Sequence, residues 1–400
     1  MTLPADPDQD AVALRSAMVK GLAEAECCAN PAWLTAAGVV PRHAFVPGFY
    51  LPTVVPEAQD LTVWQPVTPG LDYGRWLAST YSDATLITQL CGEETDWTSP
   101  KARRGGVPTS RFTLPSLIMR TWSDAEIHEG HTVLEIGTGT GYSTALACEL
   151  LGSSHVTTIE IDSARLERAA RALRACGYAP TIAQADGLYG YWPEAWFDRV
   201  VSACSFRVVP HVLIRQVRPA GKLLVPLSGW LHGGARVLLT VAEDGTAEGP
   251  LLPGGISCMP SRTESAAALG NLADWTAGLA DASRPARHTH HRLTDPTDEA
   301  SHLRFLAQCV VPEAQMAFID GLPHLVDVVS GSVASLTPEG DSWKVREGGP
   351  LALWTRIEQL IESFDAAGRP GPETFTLRVE GTAQSLLHPQ MPELRLPVPY

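Results

Sequence analysis

Apolar residues along this 400-residue chain fall into two regimes. Between Thr132 and Leu227, short apolar and β-branched runs alternate with stretches in which apolar positions recur at helical spacing. The runs Thr132–Ile136, His155–Glu160, Thr181–Ala185, Phe197–Cys204 and Gly221–Leu227 predict strands, most of them covered on both faces. Between them, Ser143–Leu151, Ser163–Cys176 with its stop at Gly177, and His211–Val217 read as helices. Regular alternation of strand and helix predicts a mostly parallel sheet and an α/β fold. Upstream, Ala11–Ala25 and Pro31–Ala37 read as helices that cap this core. Cys91–Gly106 is charged and punctuated by glycine and proline, so it reads as a mobile loop and a candidate lid.

Beyond Trp230 the regime changes. Arg236–Ala242 turned by Asp244-Gly245 predicts a hairpin, and Ser332–Leu336 with Trp343–Val345 around Glu339-Gly340 predicts another. A helix opened by Pro350 and stopped by Gly368 places Leu353, Trp354, Ile357, Leu360, Ile361 and Phe364 on one face. Phe375, Leu377 and Val379 alternate as a final strand. The expected organisation is therefore an N-terminal helical cap with the substrate loop over residues 1–107, an α/β core over 108–234, and an α+β extension over 235–400.

Charge and cysteine usage narrow the function. A formal charge of −14 argues against a nucleic-acid partner, which needs a basic face, and favours neutral or basic peptides. Eight cysteines without C-x-x-C spacing, Cys27 and Cys28 being adjacent, indicate reduced thiols rather than zinc or a disulfide framework. The amino terminus Met-Thr-Leu-Pro-Ala-Asp-Pro-Asp is acidic and no apolar stretch is long enough to span a bilayer, so no membrane association and a cytoplasmic location are expected. His288-Thr-His290-His291 lacks an acid or cysteine at metal-ligand spacing and reads as a polar connector.

The candidate chemistry centres on Val133-Leu-Glu-Ile-Gly-Thr-Gly-Thr-Gly-Tyr142. Gly137, Gly139 and Gly141 fall in a strand-to-helix turn, where glycine permits unusual dihedrals and close approach of a ligand. A dinucleotide loop would read G-x-G-x-x-G. Here the spacing is G-x-G-x-G with Glu135 two residues before the first glycine, which favours S-adenosylmethionine over NAD. Glu160 ends the next strand, about 20 residues beyond the turn, where a carboxylate can accept both ribose hydroxyls. Asp186-Gly187 ends the third, where Asp186 can accept from the adenine amino group. Thr138, Tyr142 and Ile161 complete the expected cofactor set.

Together with these residues, the segment from roughly Val40 to Trp230 resembles the protein-L-isoaspartate O-methyltransferases. Val40-Pro-Arg-His-Ala-Phe-Val-Pro47 is similar to the family's N-terminal signature, and Tyr81-Ser-Asp83 to its Tyr-x-Asp element. Pro108-Thr-Ser-Arg-Phe-Thr-Leu-Pro115 stands in the place of its Ser-x-Pro loop, while Ala185-Asp-Gly187 and Arg218–Pro226 match later segments. The resemblance implies a Rossmann-like class I S-adenosylmethionine-dependent methyltransferase core. It puts Thr113 where the family has its active-site serine, with Ser110 beside it and Tyr81, Asp83, Cys204 and Ser205 as substrate-site candidates. Methyl transfer to an already ionised carboxylate needs no catalytic triad, because positioning in line supplies much of the rate.

The core with its long extension resembles, more narrowly, the homologues that tailor ribosomally made peptides such as graspetides and lanthipeptides. That likeness implies methylation of an aspartate side chain in a macrocyclic ribosomal precursor peptide, the ester leading to aspartimide or isoaspartate, with the extension recognising the precursor. Repair of isoaspartyl proteins is the alternative. A precursor-binding module with a vestigial cofactor site is a third reading, opposed by the intact glycines and acids, and a dehydrogenase is a distant fourth that NADH binding would separate.

Overall fold

The computed structural model describes residues 6–53, 62–192, 196–255, 258–279, 284–295 and 297–397. The first five residues of the acidic amino terminus lie outside them. The chain divides into two compact units, Met1–Ala203 with Gln216–Leu224, and Cys204–Arg215 with Val225–Tyr400. No described helix is long and apolar enough to cross a membrane.

The first unit opens with helices α1 (Pro7–Glu24), where Asp6 caps the amino end, and α2 (Ala32–Val39). A five-stranded antiparallel sheet follows, built from β1 (Phe49–Thr53), β2 (Val63–Val67), β3 (Leu86–Leu90), β4 (Arg103–Arg104) and β5 (Pro108–Phe112), with α3 (Tyr73–Thr80) between β2 and β3. The region expected as a helical cap with the substrate loop thus carries a sheet besides its helices. Pro52 and Pro66 lie inside β1 and β2 and Pro108 opens β5, and proline is the residue that most weakens a strand signature. A boundary at residue 107 is corrected too, because β5 pairs with β3 and belongs with the segment before it.

After α4 (Pro115–Asp124) come β6 (Val133–Ile136), α5 (Tyr142–Leu151), β7 (Val156–Glu160), α6 (Ser163–Ala175), β8 (Thr181–Gln184) and β9 (Phe197–Ser202). All pairs are parallel: β6 lies between β7 and β9, β8 extends beyond β7, and the strand Val217–Ser228 pairs with β9 through Leu224. Successive connections from β6 therefore run to opposite sides, which leaves a crevice at its carboxyl end, where ligands bind in such sheets. All four β6 residues are buried, as the unbroken apolar run requires. The helix expected over His211–Val217 is shorter, His211–Arg215, because Val217 already enters a strand.

The second unit is largely antiparallel, with a short parallel pair of Cys204–Ser205 and Met259–Pro260. Gly234–Val241 and Ala247–Leu252 form the hairpin expected around Asp244-Gly245, and Thr376–Glu380, Ala383–Leu387 and Leu394–Arg395 continue the sheet. Thr376–Glu380 is consequently not the final strand. A second sheet joins Ala314–Ile319, Leu322–Asp327, Ser332–Glu339, Ser342–Gly348 and Arg287–Thr289 in that order. The histidine run thus begins in an edge strand, Arg287–Thr289, and only His290 and His291 lie in the connection beyond it: His288 Nε2 meets Glu339 at 2.8 Å and His290 Nδ1 meets the Asp341 carbonyl at 3.2 Å. On the helix Leu353–Ala366, all six residues of the predicted apolar face are buried, each contributing roughly 1.5–3 kcal/mol by removal from water.

Candidate active site

The turn from β6 to α5 is made by glycines at positive φ, 93° at Gly137, 56° at Gly139 and 92° at Gly141. A Cβ on Gly141 would sit 3.2 Å from Ala169 of α6, so that glycine lets two helices approach. A Cβ on Gly139 would meet nothing nearer than the Gly137 carbonyl at 4.0 Å. Its open side is the space a ligand would take.

Glu160 reaches this space from the end of β7. Its Oε2 accepts from the Gly139 N–H at 2.9 Å and its Oε1 from the Asp162 N–H at 3.1 Å. Beside it Ile161 is 36% exposed, an apolar side chain left in the open at the crevice. Asp186 stands where β8 ends and its Oδ1 accepts from the Leu188 N–H at 2.9 Å, so the Asp186-Gly187 turn is locally fixed. Ala185 donates to the Glu160 carbonyl at 3.1 Å, which keeps the two strand ends side by side. These residues fit an adenosine-type cofactor: a carboxylate for vicinal hydroxyls, an apolar face for a ring and a glycine turn for close approach.

Other expected cofactor residues lie beneath this surface. Glu135 is 1% exposed, and its Oε2 accepts from Thr144 at 2.5 Å and Thr158 at 3.0 Å; burial raises its carboxyl above the ordinary range, an effect those hydroxyls oppose. Thr138 shares a 2.7 Å hydrogen bond with Thr158. Glu135 and Thr138 therefore brace the turn instead of offering ligand atoms. Tyr142 is likewise buried, packed against Phe45 and Phe112. All three correct the expectation of direct contact, since periodicity and motif spacing do not reveal which way a side chain faces.

Thr113 sits in the connection between β5 and α4 and is partly exposed. Two bonds hold this loop: Arg42 Nη2 donates to the Thr113 carbonyl at 2.7 Å, and Asp83 Oδ1 accepts from the Ser116 N–H at 2.9 Å. Asp83 accordingly acts as a cap on α4, whose first residue is Pro115. Ser110 is corrected: it is buried on β5, accepting from Thr88 Oγ1 at 3.2 Å, and Thr88 in turn accepts from Arg165 at 3.1 Å. Tyr81 is corrected as well, being 4% exposed with its hydroxyl bonded to His43 Nδ1 at 2.8 Å. Cys204 and Ser205 belong to the second unit, where Ser205 Oγ bonds Ser228 Oγ at 2.6 Å.

Cys91–Gly106 is no free loop. Glu94 pairs with Arg165 and Arg168 of α6, both at 2.8 Å, and the Trp97 ring packs 5.0 Å from that of Tyr50. Trp97 and Phe45 line one small pocket together with Gly139 and Thr140. A charged, proline-punctuated segment disguises these anchors because each partner lies far away in sequence. Arg42, the buried hub of the Thr113 loop, is hidden for the same reason: Val40–Pro47 gives no local sign of its partners at Thr80 and Thr113.

Comparison with known proteins bears on this geometry. The model of the protein-L-isoaspartate(D-aspartate) O-methyltransferase family matches residues 110–244. That span holds Thr113, the glycine turn, Glu160 and Asp186, and leaves out Arg42, Tyr81 and Asp83. Protein-L-isoaspartate O-methyltransferase of Thermococcus onnurineus is 39% identical over 121 residues, 30% of this chain and 54% of the relative. The enzyme of the same name from Ignicoccus hospitalis is 36% identical over 118 residues, 29% of this chain and 56% of the relative. The chain thus spans about half the length of the curated relatives it matches. A solved structure of a protein-L-isoaspartate O-methyltransferase superposes with a TM-score of 0.51 at 18% identity, covering 94% of this chain and 99% of the other. The fold is that of a class I methyltransferase, and the likeness extends beyond its core.

Proposed function

We propose that this chain is an S-adenosylmethionine-dependent carboxyl O-methyltransferase acting on isoaspartyl residues of polypeptides. The observation that carries this reading is the Glu160 carboxylate laid against the Gly139 N–H at the mouth of the glycine turn, with Ile161 open beside it. When bound, S-adenosylmethionine would supply a methyl group activated by its sulfonium. Glu160 would orient the cofactor's ribose, Ile161 and the Asp186-Gly187 turn would flank its base, and the Thr113 hydroxyl would orient the acceptor carboxylate. The acceptor arrives as an anion at neutral pH, so no base is required of the protein. Its task is alignment and exclusion of water.

The test is mass spectrometry of a linear isoaspartyl peptide incubated with the protein and S-adenosylmethionine, with its normal aspartyl twin as control. Methylation confined to the isoaspartyl form supports the proposal. Turnover of neither peptide, with cofactor binding intact, would set it aside.

Thr113 favours a second reading. A threonine where the family has serine adds a methyl group at the acceptor, which suits a different carboxylate: an aspartate in a macrocyclic ribosomal precursor peptide, cyclising afterwards to aspartimide or opening to isoaspartate. Modification of such a macrocycle alone would favour this alternative. The extension does not separate the two readings, since a solved isoaspartate methyltransferase structure is matched over nearly the whole chain.

A further inference from the structure

The reading of Thr113 as the acceptor-facing hydroxyl leaves open what sets its position. Arg42 has no exposed surface, and among the described residues it forms no ion pair. Burying a guanidinium is costly, and an apolar side chain would fill the same volume more cheaply. Two of its three nitrogens are instead committed to carbonyls from distant segments, Nε donating to Thr80 and Nη2 to Thr113, both at 2.7 Å, while Nη1 is buried without a hydrogen-bond partner among the described residues. The plane of the guanidinium lies over Phe112, 3.8 Å from the ring centre, and 4.7 Å from that of Tyr142, the residue following Gly141. Burial drives its pKa down to about 10, still charged at neutral pH.

From this geometry we propose that Arg42 is a positioning residue for methyl transfer: its rigid fork fixes the Thr113 loop against the segment ending α3 and, through Phe112 and Tyr142, against the glycine turn. Only arginine offers donors at a fixed angle to two carbonyls while stacking on rings; lysine has one nitrogen and no plane. Asp83 holds the far end of the same loop through Ser116 and belongs to the same segment as Thr80. The loop is therefore clamped at both ends from residues 80–83, with Arg42 as the bridge.

The test is a cycle of Arg42→Lys and Thr113→Val, read by kcat, KM and calorimetric affinity for S-adenosylmethionine. Arg42→Lys is expected to lower kcat by about tenfold, no more than loss of the Thr113 hydroxyl itself, with cofactor affinity nearly unchanged. In the Thr113→Val background the same substitution should change kcat by no more than about twofold, because the hydroxyl it positions is gone. Equal losses in both backgrounds would overturn the proposal and leave Arg42 a packing residue. Should Arg42→Lys fail to fold, Asp83→Ala in the same cycle asks the question from the exposed end, with the same non-additivity expected and additivity overturning it. If the wild-type protein methylates no carboxylate, the functional reading fails separately, and amide exchange still judges the clamp. Faster exchange in residues 110–120 of Arg42→Lys, with α5 unchanged, supports it; a uniform change or none overturns it.

Discussion

Glu160 and Glu347 are the same residue type put to opposite uses in the two units. Glu347 is 4% exposed, and its carboxylate caps the helix Leu353–Ala366, accepting from the N–H groups of Trp354 at 2.6 Å and Thr355 at 3.1 Å and from the Thr355 hydroxyl at 2.6 Å. Glu160 also accepts two backbone N–H groups, yet it stands partly exposed at the end of a parallel strand beside an open glycine. The difference follows from topology. Parallel strands end together, so their terminal side chains converge on one crevice. In the antiparallel sheets of the second unit neighbouring strands end at opposite edges, and a polar group such as Glu347 is absorbed by local partners.

The comparison predicts that substitutions in the second unit cost stability, whereas those at the strand ends of the first cost binding or turnover. Phe364→Ala should give the largest effect, lowering stability by roughly 3–5 kcal/mol through loss of a fully buried ring, seen as a fall in the thermal midpoint. An unchanged midpoint would show that this helix face is not a core.

Acid should act on the second unit next. His302 is 5% exposed between Phe364 and Phe375, and burial takes its pKa down to about 4 from an ordinary 6.5. As pH falls below 6.5 the unfolded chain binds a proton that the folded chain refuses until about 4. The stability from neutral His302 is thus complete above pH 6.5 and lost on descent towards 4, up to about 3 kcal/mol. Denaturation profiles across that window should flatten in His302→Leu; equal slopes would remove His302 from the account.

Glu160→Ala and Glu347→Ala sharpen the contrast directly. The first should weaken S-adenosylmethionine binding by ~1–3 kcal/mol in calorimetry with little change in the thermal midpoint, and the second should do the reverse by a similar amount. Matching effects from both would erase the distinction. Thr113→Val is the smallest, lowering kcat by about tenfold, or ~1.4 kcal/mol, while cofactor affinity stays. Retained turnover would mean the hydroxyl does not touch the acceptor.

Much of the architecture was legible because period reports burial. The apolar runs at β6, β7 and β9, the hairpin around Asp244-Gly245 and the six-residue face from Leu353 to Phe364 each repeat a local geometric rule over several residues. Gly137, Gly139 and Gly141 were legible for a related reason: a turn with positive φ at each position names its own residue type. Proline-broken strands β1, β2 and β5 and the two-residue β4 carry too little repetition to be seen.

The sequence by itself determined the parallel core, its glycine turn and the acids that end its strands, since each depends on neighbours a few residues away. Only the tertiary structure decided which of those groups face the crevice. Glu135 and Glu160 look alike in a motif, but one lies under the turn against Thr144 and Thr158 and the other reaches over it to Gly139. Ser110 and Thr113 are three residues apart, yet the first is consumed by a network through Thr88 and Arg165 while the second stays partly exposed in a loop hung from Arg42. Those assignments depend on partners from 9 to 77 residues distant, and such pairing is set by packing in three dimensions rather than by any local pattern.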